Sequence, residues 1–362
     1  MAITFEHVAC RREGPDLKAS VGLDDLNLTI RVGRFVAVLG APGSGKTTLL
    51  QHLNGLLLPD AGAVDILGYR LEGGREPSAT AEGRNRLYKE SSDVIKTAWR
   101  RWLHKGHDGG GSLGGIESGS GSVNGSKSGG EPACRRRRGR KGQTAVPLSL
   151  RRHVGLVFQF PEQQLFEATV EHDLRFGPLN FGFSEAAAAE AAHRAADIVG
   201  LDEELLGRSP FALSGGQMRK AAIAAVLASD PDILALDEPT SSLDQVSRKE
   251  LMRLLHEWRS ERGKTIVIVT HRLEEVLPYA DEYIVMDAGR CVFQGDAAAL
   301  LAQPDVMARA GVAVPDSAAL LAEVSAVFAV EPPASGLDPD GAAAWIEQLL
   351  DDGGGSLQQS RS

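Results

Sequence analysis

The chain has 362 residues, a formal net charge of −9 and 43% hydrophobic residues. That size fits one large or two medium domains, and the acidic balance disfavours nucleic acid as a partner. The longest apolar run, Ala221 to Ala228, falls far short of the ~18–20 residues that span a bilayer, and MAITFEHVAC lacks the pattern of a secretory leader. Cys10, Cys134 and Cys291 are scattered and odd in number. They imply neither a metal site nor a disulfide framework, and they predict a reducing cytoplasm.

Residues 2–39 predict strands. Ile3, Phe5 and Val8 open one, and Leu26, Leu28 and Ile30 alternate in another. Phe35 to Leu39 is a short apolar run that reads as a third. It leads into Gly40-Ala41-Pro42-Gly43-Ser44-Gly45-Lys46-Thr47, a match to G-x-x-x-x-G-K-[ST]. A helix is expected from Thr47 to Leu53. Glycine lets backbone approach a phosphate without a Cβ in the way. The loop N–H groups and the helix N-terminus then face the anion. Lys46 would carry its charge to the β and γ phosphates of a nucleotide, and the Thr47 hydroxyl would bind Mg²⁺. Thr48 completes the candidate phosphate site.

Ala63 to Leu67 reads as a further strand, and then the composition breaks. Residues 106–130 are dominated by Gly and Ser and read as a flexible linker. Arg135-Arg136-Arg137-Arg138-Gly139-Arg140-Lys141 follows. Residues 74–145 hold 15 Lys/Arg against 7 Asp/Glu, a charge of 15 − 7 = +8, so the rest carries −9 − 8 = −17. Within Leu87 to Lys105, Val94, Ile95, Ala98, Trp99, Trp102 and Leu103 recur at helical spacing among basic residues. A basic amphipathic helix of this kind suits an anionic membrane surface or a partner protein. A poorly ordered insertion without function and a nucleic-acid arm are the competing readings.

Val154 to Phe158 reads as a strand ending at Gln159. Ser184 to Val199 is an Ala-rich helix with Ser184 as N-cap and Gly200 as its stop. A short helix is expected at Asp202 to Leu206. Leu213-Ser214-Gly215-Gly216-Gln217 then opens a helix read over Met218 to Ala228. Ser214 and the N–H groups of Gly215 and Gly216 lie at that helix start and form an anion site. After a turn at Asp230-Pro231, the strand Ile233 to Leu236 delivers Asp237 and Glu238. Ligands of open parallel sheets bind at such carboxyl ends. There one carboxylate can reach Mg²⁺, and the next can orient an attacking water. Lys264 to Val269 is a buried strand ending at Thr270-His271. Tyr283 to Met286 and Arg290 to Phe293 read as a hairpin, and Asp296 to Leu301 begins a helix. Ser317 to Phe328 and Pro339 to Leu350 are further helices, and Asp351 to Ser362 reads as a disordered tail.

Gly40 to Thr47, LSGGQ and ILALDEPTSSLD together resemble the nucleotide-binding domain of ABC ATPases, over about residues 2–72 and 146–300. The resemblance implies an α/β P-loop NTPase with a mainly parallel core sheet, an antiparallel β subdomain, a helical signature subdomain and a C-terminal helical extension. It implies ATP and Mg²⁺ as ligands, with Thr47, Gln159 and Asp237 toward the metal. It gives Glu238 the attacking water and His271 the γ-phosphate. It also implies that Ser214, Gly215, Gly216 and Gln217 close over a nucleotide held by another subunit, so a dimer is expected. The family carries an aromatic residue near the end of the first strand, where adenine stacks. Val8-Ala9-Cys10-Arg11-Arg12 has none. An arginine plane on the base and a loosely held base both remain open.

Gln159-Phe160-Pro161-Glu162-Gln163-Gln164-Leu165-Phe166-Glu167-Ala168-Thr169-Val170 and Phe176-Gly177-Pro178-Leu179-Asn180-Phe181-Gly182 resemble the ATPase subunits of energy-coupling factor transporters, the second of the two paralogues most. That implies uptake of a vitamin or metal ion. The expected partners are a paralogous ATPase or a second copy, a membrane T-component and a substrate-binding S-component, at the cytoplasmic face of the membrane. The implied domains are 2–300, interrupted at about 73–145, then 301–350 and the tail 351–362. The alternatives are the ATPase of a binding-protein-dependent importer and a soluble ABC ATPase acting on nucleic acid or ribosomes.

Overall fold

The structure, a computed structural model, describes residues 2–13, 19–73, 146, 148–328, 330 and 339–359. The amphipathic segment 87–105, the Gly/Ser-rich stretch and the basic run lie outside the described residues. Two sheets organise the rest. β1 (Ala2–Glu13), β2 (Ala19–Arg31), β4 (Ala61–Ile66) and β5 (Tyr69–Glu72) form an antiparallel sheet in the order β2-β1-β4-β5. The second sheet runs β10-β9-β3-β8-β7-β6. Its members are β3 (Phe35–Leu39), β6 (Val154–Val157), β7 (Ile233–Asp237), β8 (Thr265–Val269), β9 (Glu282–Asp287) and β10 (Arg290–Gly295). All its pairings are parallel except β9 with β10.

The sequence of the central strands explains their position. FVAVL, ILALD and TIVIV are buried at every residue. Such unbroken runs suit a parallel sheet covered on both faces, because a half-exposed strand would alternate polar and apolar residues. The twofold side-chain alternation divides them between two cores. Phe35, Ala37, Leu39, Leu234, Leu236, Ile266 and Ile268 face one core, and Val36, Val38, Ile233, Ala235, Val267 and Val269 the other. The first core is filled by α5 (Gly215–Leu227) and α6 (Gln245–Arg262) through Ala221, Ala224, Leu227, Leu251 and Leu255. The second takes Leu49, Leu50 and Leu53 of α1 (Lys46–Leu53) with Ile3, Phe5 and Val64 of the antiparallel sheet. Each fully buried Leu, Ile or Phe contributes roughly 1.5–3 kcal/mol relative to exposure.

α2 (Leu148–His153) precedes β6. α3 (Val170–Asn180) and α4 (Glu185–Ile198) pack with α5 as a helical layer. Ser184 caps α4 by accepting from the Ala187 N–H, and Gly200 ends it at φ 61°. Asp202 to Leu206 contributes only a 3₁₀ turn at Glu203–Leu205. α5 starts at Gly215, three residues before the expected Met218. The cause is a capping box. Ser214 Oγ accepts from the Gln217 N–H, and Gln217 Oε1 accepts from the Ser214 N–H.

After α7 (Leu273–Val276) and the hairpin come α8 (Ala297–Leu301), α9 (Pro304–Arg309), α10 (Asp316–Phe328) and α11 (Pro339–Gln359). Leu300, Met307, Leu321 and Ala342 join the first core. These helices are therefore packed into the compact unit rather than appended to it. α11 runs to Gln359, past the expected helix end at Leu350, and residues 360–362 lie outside the described residues. Gly353-Gly354-Gly355 reads as a breaker. Each glycine costs a helix about 1 kcal/mol, and Leu357, Gln358 and Gln359 are good formers that propagate the ladder beyond it.

Candidate nucleotide site

Gly40 to Thr48, Gln159, Asp237, Glu238 and His271 lie at the carboxyl ends of β3, β6, β7 and β8, and Ser214 to Gln217 lie at the start of α5. The phosphate loop follows β3 directly. Gly40, Gly43 and Gly45 have φ of 144°, 83° and 104°, conformations that penalise any Cβ. Space forbids one as well. A Cβ on Gly40 would lie 2.3 Å from the Met286 carbonyl oxygen, and one on Gly45 2.4 Å from that of Gly22. β2 and the β9–β10 hairpin therefore brace the loop from behind. Ala288 (φ 45°) and Gly289 (φ 82°) make the hairpin turn, and the Gly289 N–H donates to the Ser44 carbonyl at 3.0 Å.

Lys46 is buried and curls back over the loop. Its ammonium donates to the carbonyls of Gly40 and Ala41, both at 2.7 Å, and to Ser44 Oγ at 3.3 Å. Burial pulls its pKa below the ordinary lysine value, and the charges of Glu238 and Asp237 oppose the fall. Thr47 Oγ1 donates to Asp237 Oδ2 at 2.7 Å, so the loop and the end of β7 are in contact. Thr48 is buried, and its carbonyl lies 2.7 Å from His52 Nδ1. Ala41 and Pro42 complete the loop. Gln159 is exposed just beyond β6, the neighbour of β7.

Glu238 follows β7 and His271 follows β8. His271 Nδ1 lies 2.9 Å from both Glu238 oxygens. The Glu238 N–H donates to the Val269 carbonyl at 2.9 Å, which fixes the turn between the two strands. Glu238 has φ 50°, rare for a residue with a side chain.

Ser214 and Gly215 are exposed at the start of α5. A Cβ on Gly215 would meet nothing within 4 Å, and one on Gly216 would find only Leu243 Cδ2 at 3.6 Å. Nothing among the described residues demands glycine there. At the base end of β1, Cys10 is buried and Arg11 is exposed. The Arg11 N–H donates to Asp60 Oδ2.

Two polar residues beside the site escaped sequence reading. Arg219 on α5 is wholly buried and bonded to the loops after β6 and β7. Its only sequence signal is a cation entering the apolar run that starts at Ala221. Asp173 on α3 accepts from the N–H groups of Phe166 and Glu167, and its pKa is pushed up to about 6 by burial.

A phosphate loop braced by glycines after β3, an acidic pair at the end of β7 and a capped glycine helix define an ATP-binding cassette. The comparisons agree. The family model described as ABC transporter matches residues 23–97 and 134–241. The energy-coupling factor transporter ATP-binding protein EcfA2 of Geobacillus kaustophilus is 38% identical over 97% of this chain and 98% of its own length. EcfA2 of Latilactobacillus sakei is 38% identical over 84% and 82%. The structure of cbiO1 from Clostridium perfringens, described as part of the ABC transporter complex cbiONQ, superposes with a TM-score of 0.57 at 26% identity. It covers 88% of this chain and 98% of that one. A dimeric bacterial ABC transporter cassette, at 22% identity and a TM-score of 0.54, shares the fold. The chain therefore belongs to the ABC transporter family, as one of its energy-coupling factor ATP-binding proteins, and its activity is ATP binding and hydrolysis coupled to transport. No helix among the described residues is long and apolar enough to cross a membrane.

Proposed function

We propose that this chain holds MgATP between its own phosphate loop and the α5 start of a second ATPase, and that closing this interface drives uptake through a membrane T-component. The observation that carries the reading is the pair of contacts at the strand ends, Thr47 to Asp237 and Glu238 to His271. The N–H groups of the phosphate loop, Pro42 excepted because it has none, and the Lys46 ammonium bind phosphate oxygens. An entering phosphate competes with the two loop carbonyls that now hold the ammonium.

The donor set suits Mg²⁺. A hydroxyl and a carboxylate already meet at 2.7 Å, and hard oxygen donors are what this ion prefers. Thr47, Asp237 and Gln159 would hold it, and when bound it would neutralise charge on the β and γ phosphates. Glu238 accepts a hydrogen bond from the attacking water and turns its lone pair toward phosphorus. His271 steadies that carboxylate and donates toward the γ-phosphate.

The open space around Gly215 and Gly216 supports the second subunit. A glycine at a helix start costs stability, and this chain gives it no packing reason. Close approach by an incoming phosphate supplies one. Ser214, Gly215, Gly216 and Gln217 then serve the partner's nucleotide. The partner is a paralogous ATPase or a second copy. Phe160, next to Gln159 in the chain, and Phe166, Phe176 and Phe211 are exposed by 52%, 36%, 44% and 71%, and the Phe166 and Phe176 rings meet edge-on at 4.9 Å. That aromatic surface suits a helix of the T-component at the cytoplasmic face, with a substrate-binding S-component beside it that selects a vitamin or metal ion. Residues 2–300 act as the ATPase domain, and 301–350 help the two ATPases pair.

The test is affinity purification of the chain from detergent-solubilised native membranes. A second ABC ATPase and a multi-spanning membrane protein are expected to copurify. Ribosomal proteins or nucleic acid without a membrane protein would contradict the proposal.

A further inference from the structure

Arg219 is the largest fully buried side chain among the described residues. It sits five residues after Ser214, on the first turns of α5. Its guanidinium reaches two separate loops. Nη1 donates to the Pro239 carbonyl at 3.2 Å and to Ser241 Oγ at 3.0 Å. Nη2 donates to the Gln159 carbonyl at 3.1 Å and to Glu162 Oε2 at 3.3 Å. Pro239 directly follows Glu238. Gln159 and Glu162 belong to the loop after β6, beside the exposed Phe160.

Stability alone is a poor reason for this arrangement. A buried ion pair often contributes no more than an apolar replacement of the same volume. Here the pairing is incomplete as well, because Arg219 Nε has no acceptor among the described residues. What the guanidinium supplies is geometry. Its planar fork fixes two loops and one helix in a single register, which a flexible ammonium cannot do.

We propose that Arg219 is a positioning residue for ATP hydrolysis: it locks the start of α5, the loop carrying Gln159 and the loop following Glu238 into one unit. A displacement of the Gln159 loop by a membrane partner is then transmitted through Gln159, Glu162 and Arg219 to Pro239 and the adjacent Glu238. The same displacement reaches α5, whose start is presented to the second ATPase. This rests on the role given to Glu238 above. Of the residues placed at the nucleotide, Arg219 bonds only the Gln159 backbone carbonyl, so nucleotide affinity is expected to change far less than turnover.

The test uses the full chain with Arg219→Met and Arg219→Lys. The first readout is amide hydrogen exchange. Gln163 and Leu165 are protected by bonds to Phe160 and Glu162, and Ser241 and Leu243 by bonds to Glu238 and Thr240. Arg219→Met is expected to speed exchange at both pairs together and to leave α1 unchanged. The second readout is kinetic. Turnover is expected to fall about 100-fold, as sub-ångström misplacement of reacting groups costs. KM and the dissociation constant for ATP should stay within about threefold. Arg219→Lys should recover part of the rate, because it keeps the charge and some of the donors.

Faster exchange in one loop alone overturns the proposal. So does a lower melting temperature with unchanged turnover. If Arg219→Met does not fold, Glu162→Gln takes the charge from one acceptor and Ser241→Ala removes another, each in the intact chain. Glu162→Gln must then speed exchange at Ser241, and Ser241→Ala at Gln163; the absence of either cross effect overturns the coupling. A wild-type chain that hydrolyses no ATP even when assembled with its partner ATPase overturns the reading of Glu238 instead, and the exchange data still decide whether the loops are linked.

Discussion

His271 Nδ1 sits 2.9 Å from both oxygens of Glu238, across the ends of two adjacent parallel strands. Neither residue is held by its own element alone. The Glu238 backbone is fixed by the Val269 carbonyl of β8, the strand that delivers His271. The Glu238 backbone also has φ 50°, a conformation that costs a residue with a Cβ on the order of 1 kcal/mol or more. Such a conformation persists where the side chain is needed. Glu238→Gly is therefore expected to change folding stability by less than about 1 kcal/mol, since relief of strain offsets the lost contact with His271. The same variant should hydrolyse no ATP. Denaturant titration and a phosphate-release assay on one preparation check both halves.

The phosphate loop gives the opposite expectation. A Cβ on Gly40 or Gly45 meets backbone carbonyls at 2.3 or 2.4 Å, and backbone cannot move as a side-chain tip can. Gly40→Ala and Gly45→Ala should each destabilise by about 2 kcal/mol or more and abolish ATP binding. Gly43→Ala meets nothing within 4 Å and strains only φ. It should lose about 1 kcal/mol and keep measurable affinity. Thermal melting with and without ATP separates the three.

At Gly215 the expected sign reverses. A Cβ there finds open space, and alanine is the better helix former by about 1 kcal/mol. Gly215→Ala should leave the melting temperature of the isolated chain unchanged or raised. Hydrolysis by the assembled ATPase pair should fall, because the added methyl lies where the partner's nucleotide approaches. A variant that loses stability but keeps activity would contradict this placement.

Asp173 predicts a pH dependence. Burial raises its pKa from 3.8 to about 6, against the pull of the Phe166 and Glu167 N–H groups. The folded state thus binds its proton more tightly than the unfolded state does. Its contribution is most favourable below pH 3.8 and is lost as pH rises through about 6. Asp173→Asn keeps an oxygen for the two N–H groups and removes the buried charge. The variant should gain stability over wild type at pH 8 and much less near the unfolded value of 3.8, read from melting curves at the two pH values.

Local motifs were legible because their chemistry is contiguous. Gly40 to Thr47 spells the loop, LSGGQ opens α5, and the unbroken runs of β3, β7 and β8 announce buried parallel strands. What lay between distant residues was not. Nothing in FVAVL says that β3 lies between β8 and β9, because that order is fixed by hydrogen bonds across more than two hundred residues. Arg219 reads as a surface cation beside Lys220, yet one is buried and the other bonds Glu250 at the surface. Asp173 reads as a first-turn helix acid favoured by the dipole, and its contact with the Phe166 loop depends on how that loop folds back. The start of α5 was misplaced by three residues because two glycines suggest a turn, whereas the Ser214–Gln217 box carries the helix through them.

The most direct measurement is ATP turnover by the complex purified from native membranes, with Glu238→Gln beside the wild type. Glutamine keeps the shape and loses the charge that would orient water. The variant is expected to bind ATP with unchanged affinity and to hydrolyse it about 100-fold or more slowly. Hydrolysis at the wild-type rate would show that the attacking water is oriented elsewhere, and the site as drawn around Asp237, Glu238 and His271 would be wrong.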